Sequence, residues 1–281
     1  MFGPSRINKA LFTFAVLAIA SVIAGAQRPA GIKGVLLEKL TWVEAEKNLK
    51  PESVVVIAVG AESKEHGPHL SLNTDWLQAE FFKNQVLKMS DVVVAPTINY
   101  NFYPAFLEYP GSTSLRLETS RDAIVEICGN LARYGPRRFY IINIGISTNL
   151  ALTAATEILA REGIVLRFLD LTQKGPIETA LAKQERGSHA DEIETSVMLY
   201  IAPKVVDMKK AVRDVNERKS GGLFTRNPDS AKGIYSPSGV WGDATLATRE
   251  KGKKIVEELT SRILSGIEEL RKNAAAPAAT K

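Results

Sequence analysis

Three histidines and the carboxylates beside them are the residues of this chain best suited to chemistry. The sequence holds only His66, His69 and His189. All three sit in Gly- or Pro-flanked polar segments, not on apolar helix faces. Two share Glu65-His66-Gly67-Pro68-His69-Leu70, with Asp75 opening the next helix. The third lies in Gly187-Ser188-His189-Ala190-Asp191, followed by Glu192 and Glu194. Neutral imidazole with carboxylate is the ligand mixture that suits zinc or manganese. The same groups also move protons near neutral pH. A lone histidine is ordinarily a satisfied core residue. Histidines confined to loops, with carboxylates close by, are candidates for a site.

The elements that must position these residues follow from hydrophobic spacing. Residues 53–59 form a mostly β-branched run ending at Gly60, which reads as a strand buried on both faces. Residues 91–96, 139–143 and 164–171 read as further strands, and 75–89, 119–134 and 149–162 as helices. Thr119 or Ser120 is expected to cap the second of these helices. Another helix runs to Ile201, where Ser188 and Asp191 have capping-box spacing. A last amphipathic helix covers 247–272, and 215–240 reads as a Gly/Ser/Asn/Pro-rich surface loop. Strands alternating with helices predict an α/β fold, a three-layer sandwich with a mostly parallel core sheet. Ligands of such sheets bind outside the carboxyl ends of the strands. Residues 60–75 and 143–149 leave strands on that edge.

Composition sets the outer bounds. The 281 residues are 45% hydrophobic and 24% charged, ordinary values for one globular domain. Arg6 and Lys9 precede an uncharged apolar run from Ala10 to about Gly25, and Ala24-Gly25-Ala26 is a small-x-small cleavage pattern. Residues 1–26 therefore read as a secretory signal peptide, which makes the protein exported, periplasmic or secreted. Losing Arg6 and Lys9 lowers the formal charge from +5 to +3. Residues 27–272 form the domain and 273–281 a disordered tail. The remaining basic residues form no stripe, so nucleic acid is not an expected partner, nor is a membrane after cleavage. The single cysteine, Cys128, excludes an internal disulfide and reads as a buried thiol in a helix.

Four segments resemble the creatininase (creatinine amidohydrolase) family, in that family's order. They run from Gly60 to Asp75, from Tyr109 to Leu115, from His189 to Ser196, and from Gly239 to Thr245, the last followed by Ala247-Thr248 and Lys251-Gly252. The resemblance implies a creatininase-like α/β domain, a homo-oligomer, a small-molecule substrate and a site for one or two divalent ions, zinc or manganese. It implies that His66 and Asp75 are ligands, the aspartate bridging two ions. It implies that His189 shuttles the proton during C–N cleavage. Glu194 is implied as a ligand or a residue behind the ligands, and Glu65 stands next to the family's ligand glutamate.

Two positions depart from that pattern. Lys64 stands where the family has the ligand glutamate, and a protonated lysine has no lone pair to donate. Gly145 stands where the family has another ligand histidine, and no fourth histidine exists to replace it. Three readings stay open at this point. The site holds one metal ion through His66, Asp75 and carboxylates such as Glu65 or Glu194. Or it is metal-free and uses Lys64, His189 and Glu192 in acid–base chemistry. Or the protein is a non-catalytic exported small-molecule-binding protein on the same fold. The leading expectation is metal-dependent hydrolysis of a non-peptide, possibly cyclic, amide. Ser112, Ser114 and Ser147 are turn hydroxyls rather than nucleophiles, and residues 145–148 are a possible anion cradle at a helix start.

Overall fold

A computed structural model describes residues 31–216 and 222–272. The predicted signal peptide and C-terminal tail lie outside the described residues. Five parallel strands form the central sheet in the order β1-β3-β2-β4-β5: Val35–Leu36, Val93–Val94, Val54–Val59, Arg138–Asn143 and Val165–Phe168. All six residues of β2 are buried, as a central parallel strand covered on both faces requires. Its side chains alternate between two cores. Val54, Val56 and Ala58 pack with Phe82 and Val86 of α2 (Thr74–Met89) and with Ile255 and Ile263 of α7 (Arg249–Lys272). Val55, Ile57 and Val59 pack with Ile124 of α3 (Leu117–Ala132) and with Leu152 and Leu159 of α4 (Asn149–Arg161). The expected three-layer sandwich is therefore the observed fold.

Several boundaries shift. The 91–96 run pairs over Val93–Val94 alone. Helix α3 starts at Leu117, ahead of both proposed caps, and Ser120 is buried within it. A short helix, α1 (Trp42–Asn48), carries a full capping box between Thr41 and Glu44, and α5 (Pro176–Leu181) was likewise not anticipated. Helix α6 (Glu192–Ile201) is capped by Asp191, which accepts from the N–H groups of Ile193 and Glu194 at 3.0 and 3.1 Å, and not by Ser188. The 215–240 region contains the parallel strand pair β7 (Phe224–Thr225) and β8 (Ile234–Tyr235). Cys128 is fully buried, and burial pushes its thiol up to about 12, so it is inert as a nucleophile. Among the described residues no helix is long and apolar enough to cross a membrane.

Candidate active site

The loop that leaves β2 and enters α2 delivers most of the site. Gly60 permits it. A Cβ there would lie 2.7 Å from the Ala79 Cβ and would overlap the backbone of Asp75. Only glycine lets the first turn of α2 lie against the strand end, and Trp76 N–H then donates to Ala61 O at 3.0 Å. This contact fixes Asp75, completely buried, over the carboxyl edge of the sheet.

His66 meets Asp75 through a short link. Its Nδ1 lies 2.9 Å from the Lys64 carbonyl, which can only accept, so Nδ1 carries the hydrogen and donates. A neutral ring then aims the Nε2 lone pair at Asp75 Oδ1, 2.7 Å away, and toward Glu194 Oε1 at 3.6 Å. Lone pairs do not face one another unshared in a buried pocket. The arrangement needs a cation held in common, either a proton or a metal ion. Burial is the largest influence and opposes charging His66, yet the charges of Asp75 and Glu194 with the hydrogen bond to Asp75 together outweigh it and raise the imidazole's proton affinity. A histidine that donates one nitrogen to a backbone carbonyl and aims the other at carboxylates has the outer-shell support of a metal ligand.

Glu194 is positioned by two hydrogen bonds. Ala190 N–H donates to its Oε2 at 2.8 Å and the Gln78 amide to its Oε1 at 3.1 Å. Ala190 holds a φ of 47°, a left-handed conformation that is costly for alanine. That strained turn is what aims its N–H at Glu194 and leaves His189 facing the same space. Burial would raise the Glu194 carboxyl, but His66 and His189 hold it below the usual range.

His189 is held on its other side by Glu65. The Glu65 Oε1 lies 2.7 Å and the Glu65 carbonyl 3.1 Å from His189 Nε2. Both atoms accept, so Nε2 carries hydrogen and Nδ1, 3.8 Å from Glu194 Oε2, is the nitrogen left to exchange a proton. The second Glu65 oxygen accepts from Gly67 N–H at 2.8 Å. Both oxygens of Glu65 are thus engaged away from His66, so its geometry is that of a group orienting His189. The C-terminal motif explains itself here. Trp241 N–H donates to His189 O at 2.9 Å, and Gly239, at φ +83°, lies against the Glu65 carboxylate where a side chain could not.

One nitrogen or oxygen each from His66, His189 and Glu194 lies within 4.8 Å of the others, a set that could hold an ion. His66 Nε2 also meets Asp75, which stands outside that three-residue set. Gly145 faces this cluster only through Tyr103, whose ring lies 3.2 Å from where a Gly145 Cβ would be. Ser112 Oγ accepts from Glu65 N–H and Ser114 Oγ from Tyr103 N–H, both at 2.9 Å, so these serines are scaffold. Glu192 takes no part. It is buried, paired with Lys251, and accepts from the N–H groups of Lys183 and Gln184. The acid–base set of Lys64, His189 and Glu192 is therefore not assembled. His69 is scaffold too: its Nε2 meets Thr195 Oγ1 at 2.8 Å, and burial lowers its pKa to about 4.

Sequence reasoning missed the walls. Phe106 stacks on His189 with ring centroids 4.2 Å apart, and Phe224 approaches its edge at 5.5 Å. Gln78 was also missed, although its place three residues after Asp75, on one helix face, was a usable signal.

The comparisons agree with this geometry. The chain is 25% identical to the creatinine amidohydrolase of Pseudomonas putida, over 84% of this chain and 97% of that protein. It is 27% identical to the mycofactocin precursor peptide peptidase of Mycolicibacterium smegmatis, over 74% of this chain and 81% of that one. The solved structure titled "Creatininase Mn" superimposes with a TM-score of 0.72 at 25% identity, covering 86% of this chain and all of its own. The family model for creatininase, described as creatinine amidohydrolase, matches residues 38–267, and the chain belongs to that family.

Proposed function

We propose that the protein is a metal-dependent hydrolase of a small non-peptide amide, a cyclic one such as creatinine being the model substrate. One observation carries this reading: the His66 Nε2 lone pair is turned toward one buried and one half-buried carboxylate, beside a histidine with one nitrogen kept for proton exchange. His66, Asp75 and Glu194 are the residues that would hold a divalent ion, zinc or manganese. When bound, such an ion supplies Lewis acidity and lowers the pKa of water toward about 7.

The chain's own residues do the rest. Hydrolysis adds water across the C–N bond, so one proton must leave the attacking water and one must reach the departing nitrogen. His189 Nδ1 accepts the first and delivers the second. Glu65 fixes the tautomer and steadies the imidazolium formed between those events. Phe106 stacks on His189 and Phe224 meets its edge, so the proton-transferring imidazole has apolar walls. The relative named as a peptide peptidase supports a second reading, a peptide amide as substrate. The apolar run and cleavage pattern of residues 10–26 support export, and the family resemblance supports a homo-oligomer.

Protein loaded with Mn2+ or Zn2+ should be assayed against creatinine, other lactams and short peptides, with ring-opened or cleaved products identified by mass. The expected result is turnover abolished by chelator and restored by metal. His189→Ala should keep the ion and lose turnover. Turnover that survives chelation would contradict the metal-dependent mechanism. Metal binding without hydrolysis of any substrate would favour the non-catalytic binding protein.

A further inference from the structure

Asp75 presents two oxygens, and they have different partners. Oδ1 faces His66, whereas Oδ2 lies 2.6 Å from Lys64 Nζ. Lys64 is 5% exposed, and its ammonium lies 5.0 Å from the Phe106 ring centroid and 5.6 Å from that of Tyr103. Those distances are in the range of cation–π attraction. A carboxylate and two aromatic faces therefore form a seat for one positive charge, and the chain fills it itself. Among the described residues, no second His/Cys/Asp/Glu set borders that seat. Against the Tyr103 ring lies Gly145, where a Cβ would be 2.8 Å from Thr148 Oγ1 and 3.2 Å from that ring. Tyr103, 1% exposed, occupies the space that a longer side chain at 145 would need. A two-ion centre bridged by Asp75 does not fit these residues, whereas one ion on the Oδ1 side does.

We propose that the Lys64 ammonium is a resident cation in the seat of a second metal ion, so that this site takes one divalent ion only. The inference rests on the metal-dependent reading above and adds the number of ions and the identity of the second positive centre. The ammonium sits on the far oxygen of the same carboxylate that would ligate the ion. Its charge therefore repels the ion and draws on the negative charge that Asp75 offers. Removing the charge should tighten ion binding, and replacing it with a carboxylate should open the second seat.

The test is titration of the chelator-treated full-length protein with Mn2+ alone, read by calorimetry and by metal content after gel filtration. Wild type is expected to saturate at one ion per chain. Lys64→Gln should stay at one ion and bind it about tenfold tighter or more, as loss of a nearby like charge requires. Lys64→Glu should take up two. Circular dichroism identifies a variant that does not fold, and the wild-type stoichiometry then decides alone. Two ions in wild type would overturn the inference and leave the metal-hydrolase reading standing. Weaker binding by folded Lys64→Gln, or one ion in folded Lys64→Glu, would also overturn it. No ion in wild type would overturn both.

Discussion

The two flanks of Asp75 differ in kind. On one side stand His66, Glu194, Gln78 and His189, all offering lone pairs or holding those that do. On the other stand Lys64, Tyr103, Phe106 and Gly145, which offer a fixed positive charge and two ring faces but no imidazole or carboxylate. One carboxylate thus turns Oδ1 to a ring lone pair and Oδ2 to a built-in cation. The Lys64 ammonium supplies a positive charge to one oxygen of buried Asp75, and His66 Nε2 faces the other. Burial would raise the Asp75 carboxyl, but Lys64 first and His66 second hold it down at about 2.

The largest effect should come from the residue that both flanks share. Asp75→Asn leaves the Lys64 ammonium buried without its counter-charge and removes the ligand to the ion. We expect a loss of about 3–5 kcal/mol of stability, typical of a broken buried pair, together with loss of metal and of turnover. Urea unfolding and metal analysis check this. Unchanged stability would show that Lys64 is not bound to Asp75 as described.

Next in size is the contrast between flanks. Lys64→Met should keep the ion and bind it about tenfold tighter or more, the pattern of a lost like charge nearby. His66→Ala should lose the ion altogether. If both variants lost metal equally, the two sides of Asp75 would be one site and the comparison would fail.

The smallest effect concerns a histidine that belongs to neither flank. His69 stays neutral when folded, with a pKa of about 4 against an ordinary 6.5. The unfolded chain therefore binds a proton that the folded chain refuses as pH falls from 6.5 toward 4. The stability this residue contributes is complete above pH 6.5 and is lost across that window. His69→Gln should flatten that part of the unfolding midpoint-versus-pH curve while leaving metal content intact. A parallel curve for variant and wild type would show that His69 is not buried neutral.

Much of the frame was legible because it is local. Six consecutive buried β-branched or small residues, Val54–Val59, can only be a central strand, and the alternation with helices forces the parallel sheet. His66, Asp75, His189 and Glu194 were legible as residue types in loops on a ligand edge, and the family resemblance ordered them. What the sequence hid is long-range. Glu65 looks like a ligand beside His66 until the fold brings His189, 124 residues away, onto its carboxylate. Phe106, Phe224 and Tyr103 carry no local signal, because only the tertiary fold turns them toward the site. Lys64 read as a defect in a ligand set. It becomes a partner only when its ammonium is seen on Asp75 Oδ2. The missed helix Trp42–Asn48 was avoidable, since Thr41 and Glu44 spell its capping box.

Anomalous diffraction at the manganese edge, from crystals grown in excess Mn2+, counts the ions at Asp75. One peak is expected, bounded by His66, Asp75 Oδ1 and Glu194, with the Lys64 ammonium still on Asp75 Oδ2. Two peaks astride Asp75, or none at all, would contradict it.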